Sequence, residues 1–138
     1  MRLRRASLAV LVLTLLEYGI GMYVNLFVTI PRGDHGHGIG SAISGGPVIL
    51  SLHIVVGLLL ALGAIAVLVL AVQSRRAASI GLAVVGVIAM ASASATGASF
   101  TSTGDAVDSM GMAVTAGISM LCFALIIYLS ALRPERGN

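Results

Sequence analysis

The chain has 138 residues, of which 58% are hydrophobic and only 9% charged, and its mean hydropathy is +1.07. That composition excludes a soluble domain, which needs a charged surface, and the length allows one domain at most. The net charge of +3 and the pI near 9.8 come from eight arginines and no lysine. These arginines stand at the ends of apolar runs, so they report membrane topology and argue against a nucleic-acid partner.

Span 1 covers about 6–30, preceded by Arg2, Arg4 and Arg5. It is too long for a signal peptide, carries Glu17 and ends at Pro31 without a small-x-small cleavage site, so it is expected to be a retained helix. Glu17 lies eleven residues into this run. A mid-span carboxylate costs about 2.5–3.5 kcal/mol on insertion scales, so it must face protein and not lipid. Thr14, Glu17, Tyr18, Gly21 and Asn25 recur at helical spacing and predict an inward polar-or-small stripe.

The loop after span 1 holds Asp34, His35 and His37 among glycines. Two histidines one residue apart with a neighbouring carboxylate suit Cu(II), Ni(II) or Zn(II) at an exposed site, and an inert solvated loop is the competing reading. Span 2 covers about 47–72. His53 falls about six residues, or roughly 9 Å, below its outer end, with Gly57, Ala61 and Ala64 on the same predicted face. Gln73–Arg76 forms a tight turn into span 3, about 78–100, which is built almost wholly of small residues. Span 4, about 109–132, carries Gly111, Thr115, Ser119 and a lone cysteine, Cys122, which reads as a small apolar filler.

Each run exceeds the ~20 residues that a helix needs to cross a ~30 Å hydrocarbon core. Four spans with short connections predict an all-α, integral membrane up-down four-helix bundle. Seven arginines fall on one side and Arg32 alone on the other, beside Asp34, Asp105 and Asp108. By the positive-inside rule both termini are expected to be cytoplasmic, in a multi-pass protein of the cell inner membrane. The small-residue ladders Ala89-Ala93-Gly97 and Ser92-Thr96 predict close helix packing. They also leave faces that a homodimer partner or a larger membrane complex could cover.

Two chemistries are expected in the spans. A neutral imidazole inside an apolar helix is a common axial ligand of membrane haem, which makes His53 a candidate ligand of a b-type haem for electron transfer or redox sensing. Asn25, Thr96, Met110 and Met112 are the candidate residues around that cofactor. With one membrane histidine per chain, the sixth position would be a methionine, open, or a second His53 from a dimer partner. Glu17 and Tyr18, near the midplane, are candidates for a proton relay towards His53. The alternative is that these polar side chains only knit helices together in a non-enzymatic scaffold or accessory subunit of a respiratory or transport complex. No phosphate loop, nucleophile elbow or CxxC pair is present, which dismisses those soluble chemistries and leaves open whether the chain is an enzyme.

The run Gly19-x-Gly21-Met22-Tyr23-Val24-Asn25-Leu26-Phe27-Val28-Thr29-Ile30-Pro31, the His-bearing loop, Leu52-His53-Ile54-Val55-Val56-Gly57 and Gly97-Ala98-Ser99-Phe100 together resemble small four-helix membrane proteins of GC-rich bacteria. That resemblance implies the fold and no particular activity. The chain is similar to b-type membrane cytochromes in carrying a histidine inside a helical bundle.

Overall fold

A computed structural model describes residues 2–28, 40 and 46–132. Four helices account for almost all of them: α1 (Arg2–Phe27), α2 (Val48–Gln73), α3 (Ala77–Thr103) and α4 (Ala106–Leu132), with no strand among the described residues. Each has 26 or 27 residues, about 40 Å of helix, and is long and apolar enough to cross a membrane. The chain is an all-α four-helix bundle and a small multi-pass membrane protein. Asp34, His35 and His37 lie outside the described residues, as do Arg32, Arg133 and Arg136.

Local chemistry sets the ends. Pro47 caps α2, where its missing N–H is no loss, and its carbonyl accepts from Leu50 and Ser51. Helix α3 stops at Gly104, which takes a left-handed φ of 65° and donates its N–H to the Phe100 carbonyl. One residue later the Asp105 carboxylate accepts the Val107 N–H and starts α4. This two-residue turn makes α3 and α4 a tight antiparallel hairpin. The α2–α3 turn relies instead on Arg75 at φ 54°, a conformation that costs a non-glycine residue about 1–2 kcal/mol.

The helices form a ring in which each packs on its two neighbours, and the backbones of the diagonal pairs, α1 with α3 and α2 with α4, stay apart. Buried positions on α1 run Ser7, Val10, Thr14, Glu17, Gly21, Val24, alternating steps of three and four. The same alternation continues in Leu60, Ala64, Val67 and Ala71 on α2 and in Ser79, Ala83, Gly86, Met90 and Ala93 on α3. A mean step of 3.5 is the spacing of a left-handed coiled-coil seam. Leu16, Leu59, Leu62, Ile88 and Leu121 face outward, more than half exposed, as a surface solvated by lipid requires.

Along the bundle axis the two halves differ. The end bearing Arg2, Arg4, Arg5, Arg75 and Arg76 is filled: Val10, Val67, Phe123 and Ile126 meet in one buried core. Phe123 is fully buried because Gly86 opposite it has no Cβ, and one built there would stand 3.3 Å from the ring. Truncating this ring leaves a hole that no neighbouring side chain spans. Phe123→Ala is therefore expected to destabilise the protein by about 3–5 kcal/mol, read as a fall in the unfolding midpoint of the purified protein in detergent.

Candidate functional site

The half nearer Asp105 and Asp108 is hollow. A cavity of about 410 Å³ occupies it, lined from all four helices. Its cause is the seam sequence: Gly21, Gly57, Ala93, Gly97 and Ala116 stand where larger side chains fill the other half. Met22 and Leu58 form part of its rim and are 50% and 48% exposed, which puts some of the opening at hydrocarbon depth.

Glu17 and His53 meet on one wall. Glu17, only 6% exposed, places Oε1 2.5 Å from His53 Nδ1. Two bare lone pairs would repel at that separation, whereas an Nδ1–H would be attracted to the carboxylate. The imidazole gives the mid-span carboxylate a polar partner inside the bundle, which offsets part of the cost of placing it there. The approach is off-axis: Nδ1, Oε1 and Oε2 are all buried, and none has a well-aligned hydrogen bond among the described residues. The His53 side chain nevertheless keeps 19% of its surface accessible, and buried Nδ1 contributes almost none of it. The ring lines the cavity, with Cε1 and Nε2 turned towards Gly21 of α1.

Two glycines make this contact geometrically available. The imidazole lies against Gly21, where an added Cβ would come within 2.8 Å of Cε1. Reciprocally, the Glu17 carboxylate lies beside Gly57, with Oε1 3.9 Å from a Cβ built there. On antiparallel helices, Glu17 and Gly21 on α1 thus face Gly57 and His53 on α2. Each polar side chain rests against the partner helix's glycine.

The other candidate residues divide between wall, rim and seam. Tyr18 is half-buried and lines the cavity beside Glu17, as does Met112 from α4. Asn25 and Met110 line it too, but they are exposed and stand at its rim. Thr96 turns into the α3–α4 seam, its Cγ2 against Gly111, and donates its hydroxyl to the Ser92 carbonyl. Thr14 and Thr115 likewise donate to carbonyls of their own helices, so these hydroxyls do not bridge between helices. Between helices, Ser99 donates to Asp108 at 2.7 Å near the α3–α4 turn. His53 faces α1 of its own bundle, and that orientation does not suit two His53 rings bracketing one group across a dimer.

No group of three His, Cys, Asp or Glu side chains gathers among the described residues. No known protein family, curated protein or solved structure matches the chain.

The two glycine contacts predict opposite responses to the same change. Gly21→Ala forces the imidazole to move and is expected to cost about 1–3 kcal/mol, whereas Gly57→Ala meets an ordinary contact and gains up to ~1 kcal/mol of helix propensity. Unfolding in mixed micelles would check both. A double-mutant cycle with Glu17→Gln and His53→Gln is expected to return a coupling of about 0.5–2 kcal/mol, and zero coupling would show that the pair is not formed.

Proposed function

We propose that the protein is a small membrane cofactor protein, holding a b-type haem in the hollow half of the bundle for electron transfer or redox sensing. The observation that carries this reading is the setting of His53. Its Nδ1 lies against a buried carboxylate, and the ring lines a cavity. Ligating histidines characteristically give their second nitrogen to such a carboxylate, which fixes the tautomer and aims the other nitrogen. Here Glu17 would do the aiming, and Nε2, beside Gly21, would be the atom to ligate.

The donor set supports a macrocycle over a bare ion. One imidazole, one carboxylate already engaged with it and the thioethers of Met110 and Met112 are too few for a closed ion site. A porphyrin brings four nitrogen donors of its own and asks the protein for one or two more. Once bound, haem would supply one-electron chemistry. The chain's own part is to orient His53 through Glu17, to exclude water with apolar walls, and to hold one proton at the Nδ1–Oε1 contact. The volume lies within the usual range of small-molecule sites, about 300–1,000 Å³. Tyr18, next to Glu17 on the same wall, extends the proton-holding group in the relay reading.

One observation favours the alternative of a scaffold or accessory subunit: the Glu17–His53 contact already pins α1 to α2, with no ligand needed. An absorption spectrum separates the two. Protein purified from haem-sufficient cells is expected to show a Soret band that His53→Ala abolishes. A colourless protein that also fails to take up added haemin would overturn the haem reading and leave the scaffold. We also propose that the arginine end faces the cytoplasm, by the positive-inside rule. Cysteine labelling at position 104 from outside intact cells would support it, and labelling only after lysis would reverse it. A homodimer is the simplest assembly for the outward small faces, and mass measurement in detergent decides between dimer and monomer.

A further inference from the structure

We infer that the Glu17–His53 pair is a proton-binding site served from one side only, the Asp105 end of the bundle. The hollow is its aqueous vestibule and the filled half is its seal. This sidedness goes beyond the haem reading and does not depend on it. Each helix is about 40 Å long against a hydrocarbon core of ~30 Å, so about 5 Å, or roughly three residues, projects at either end. The lining of the hollow reaches the projecting zone at the Asp105 end. Asn25 and Thr101 are each the third residue from their helix ends, Leu50 is the third of α2 and Ala106 the first of α4. Water entering there finds the polar side chains of Asn25 and Ser109 at the mouth and the imidazole below them. His53, the sixth residue of α2, lies about 8 Å down from this end, with 19% of its side chain accessible.

The other direction is closed. The deepest lining residues, Thr14 and Met90, are each the fourteenth from their helix ends. Beyond them Val10 and Phe123 stand eighteenth, Val67 twentieth and Ile126 twenty-first, and the last three have no exposed surface. Two buried hydroxyls flank this plug: Ser119, level with the floor of the hollow, and Ser7, seven residues or about 10 Å further on. Protons pass along hydrogen bonds of about 3 Å, so that gap needs a chain of waters, and close-packed side chains leave no room for one. The titratable side chains lining the hollow are Glu17, His53 and Tyr18. Helix α3 carries none. Helix α4 carries Asp108 near the mouth, its carboxylate accepting from Ser99 and Thr103, and Cys122 and Tyr128 beyond the floor. Past Asp108, a proton coming from the mouth therefore meets the pair before any other base in the bundle. The pair answers to the pH of one compartment.

The experiment uses the full-length protein reconstituted in one orientation in vesicles, with Gly104→Cys marking the Asp105 side and Cys122→Ser as the background of every variant. A charged, membrane-impermeant thiosulfonate is expected to label Ala113→Cys and Ala93→Cys, on the walls of the hollow, only from the side that labels Gly104→Cys. Ala83→Cys, in the filled half, is expected to stay unlabelled from both sides. Two wall positions keep the test standing if one variant fails to fold. In the unsubstituted protein, the nitrogen NMR signal of the His53 imidazole, identified by its loss in His53→Gln, is expected to shift when the pH is lowered on the marker side. It is expected to stay still when the pH is lowered on the other. Labelling of the wall variants from the opposite side, or from neither, overturns the inference, as does labelling of Ala83→Cys. A His53 signal that follows the opposite side, or neither side, also overturns it. The Soret band is a separate readout, so loss of one-sided access and loss of haem uptake are told apart.

Discussion

One constraint organises the molecule: a carboxylate in the middle of a membrane helix has to be neutralised by something in the same bundle. Glu17 meets His53, and the meeting fixes how α1 and α2 lie against each other. Slide either helix by one turn and the imidazole loses Gly21, the carboxylate loses Gly57, and each polar group meets a side chain. Lipid offers helices no hydrophobic reason to associate, so register in a membrane bundle comes from contacts of this kind and from close packing. The α3–α4 hairpin obtains its register differently, from a two-residue turn and from Phe123 and Met112 seated on Gly86 and Gly97. Two antiparallel pairs, each locked by side chains over glycines, then close into a ring.

Glycine plays opposite parts in the two halves of that ring. At Gly86 and Gly63 the missing Cβ is occupied by a neighbour, Phe123 or Val10, and the interior is solid. At Gly21, Gly57 and Gly97 the neighbours are His53, Glu17 and Met112, and beyond them the interior is empty. What decides the outcome is the side chain opposite: a phenyl ring fills the axis, whereas a histidine drawn sideways to a carboxylate does not.

Much of this was legible in the sequence. Four apolar runs gave four helices, and the cost of Glu17 required that it face inward, which it does. The inward faces were read on a straight helix of 3.6 residues per turn, and there the details drifted. Spacing placed Asn25 on the stripe with Thr14, yet the seam follows a 3.5 step, so Val24 is buried and Asn25 stands at the rim. For the same reason Leu60 is buried on α2 while Ala61 is only half-buried. The cavity was not legible. Ladders of small residues signal close approach of backbones, and whether the space they release is refilled depends on partners that only the fold brings together. The hydroxyls of Thr96 and Thr115 also escaped sequence reasoning, because a threonine in a helix satisfies itself on the preceding turn and leaves no trace in the pattern.

The size of the hollow bears on what the bundle is for. At the cost measured for voids in soluble cores, about 24 cal/mol per Å³, an empty and closed 410 Å³ would forfeit on the order of 10 kcal/mol, as much as a whole domain's stability. An open cavity escapes that cost to the extent that its walls are solvated. Lipid chains reach the rim at Met22 and Leu58 and can solvate the apolar walls. They bring no donor for Oε2 of Glu17 and no acid for the accessible edge of His53. A fitting occupant is apolar over most of its body and chemically matched to one polar spot on the wall. The haem proposed above would meet that description through His53, with Glu17 beside the imidazole as its polar support.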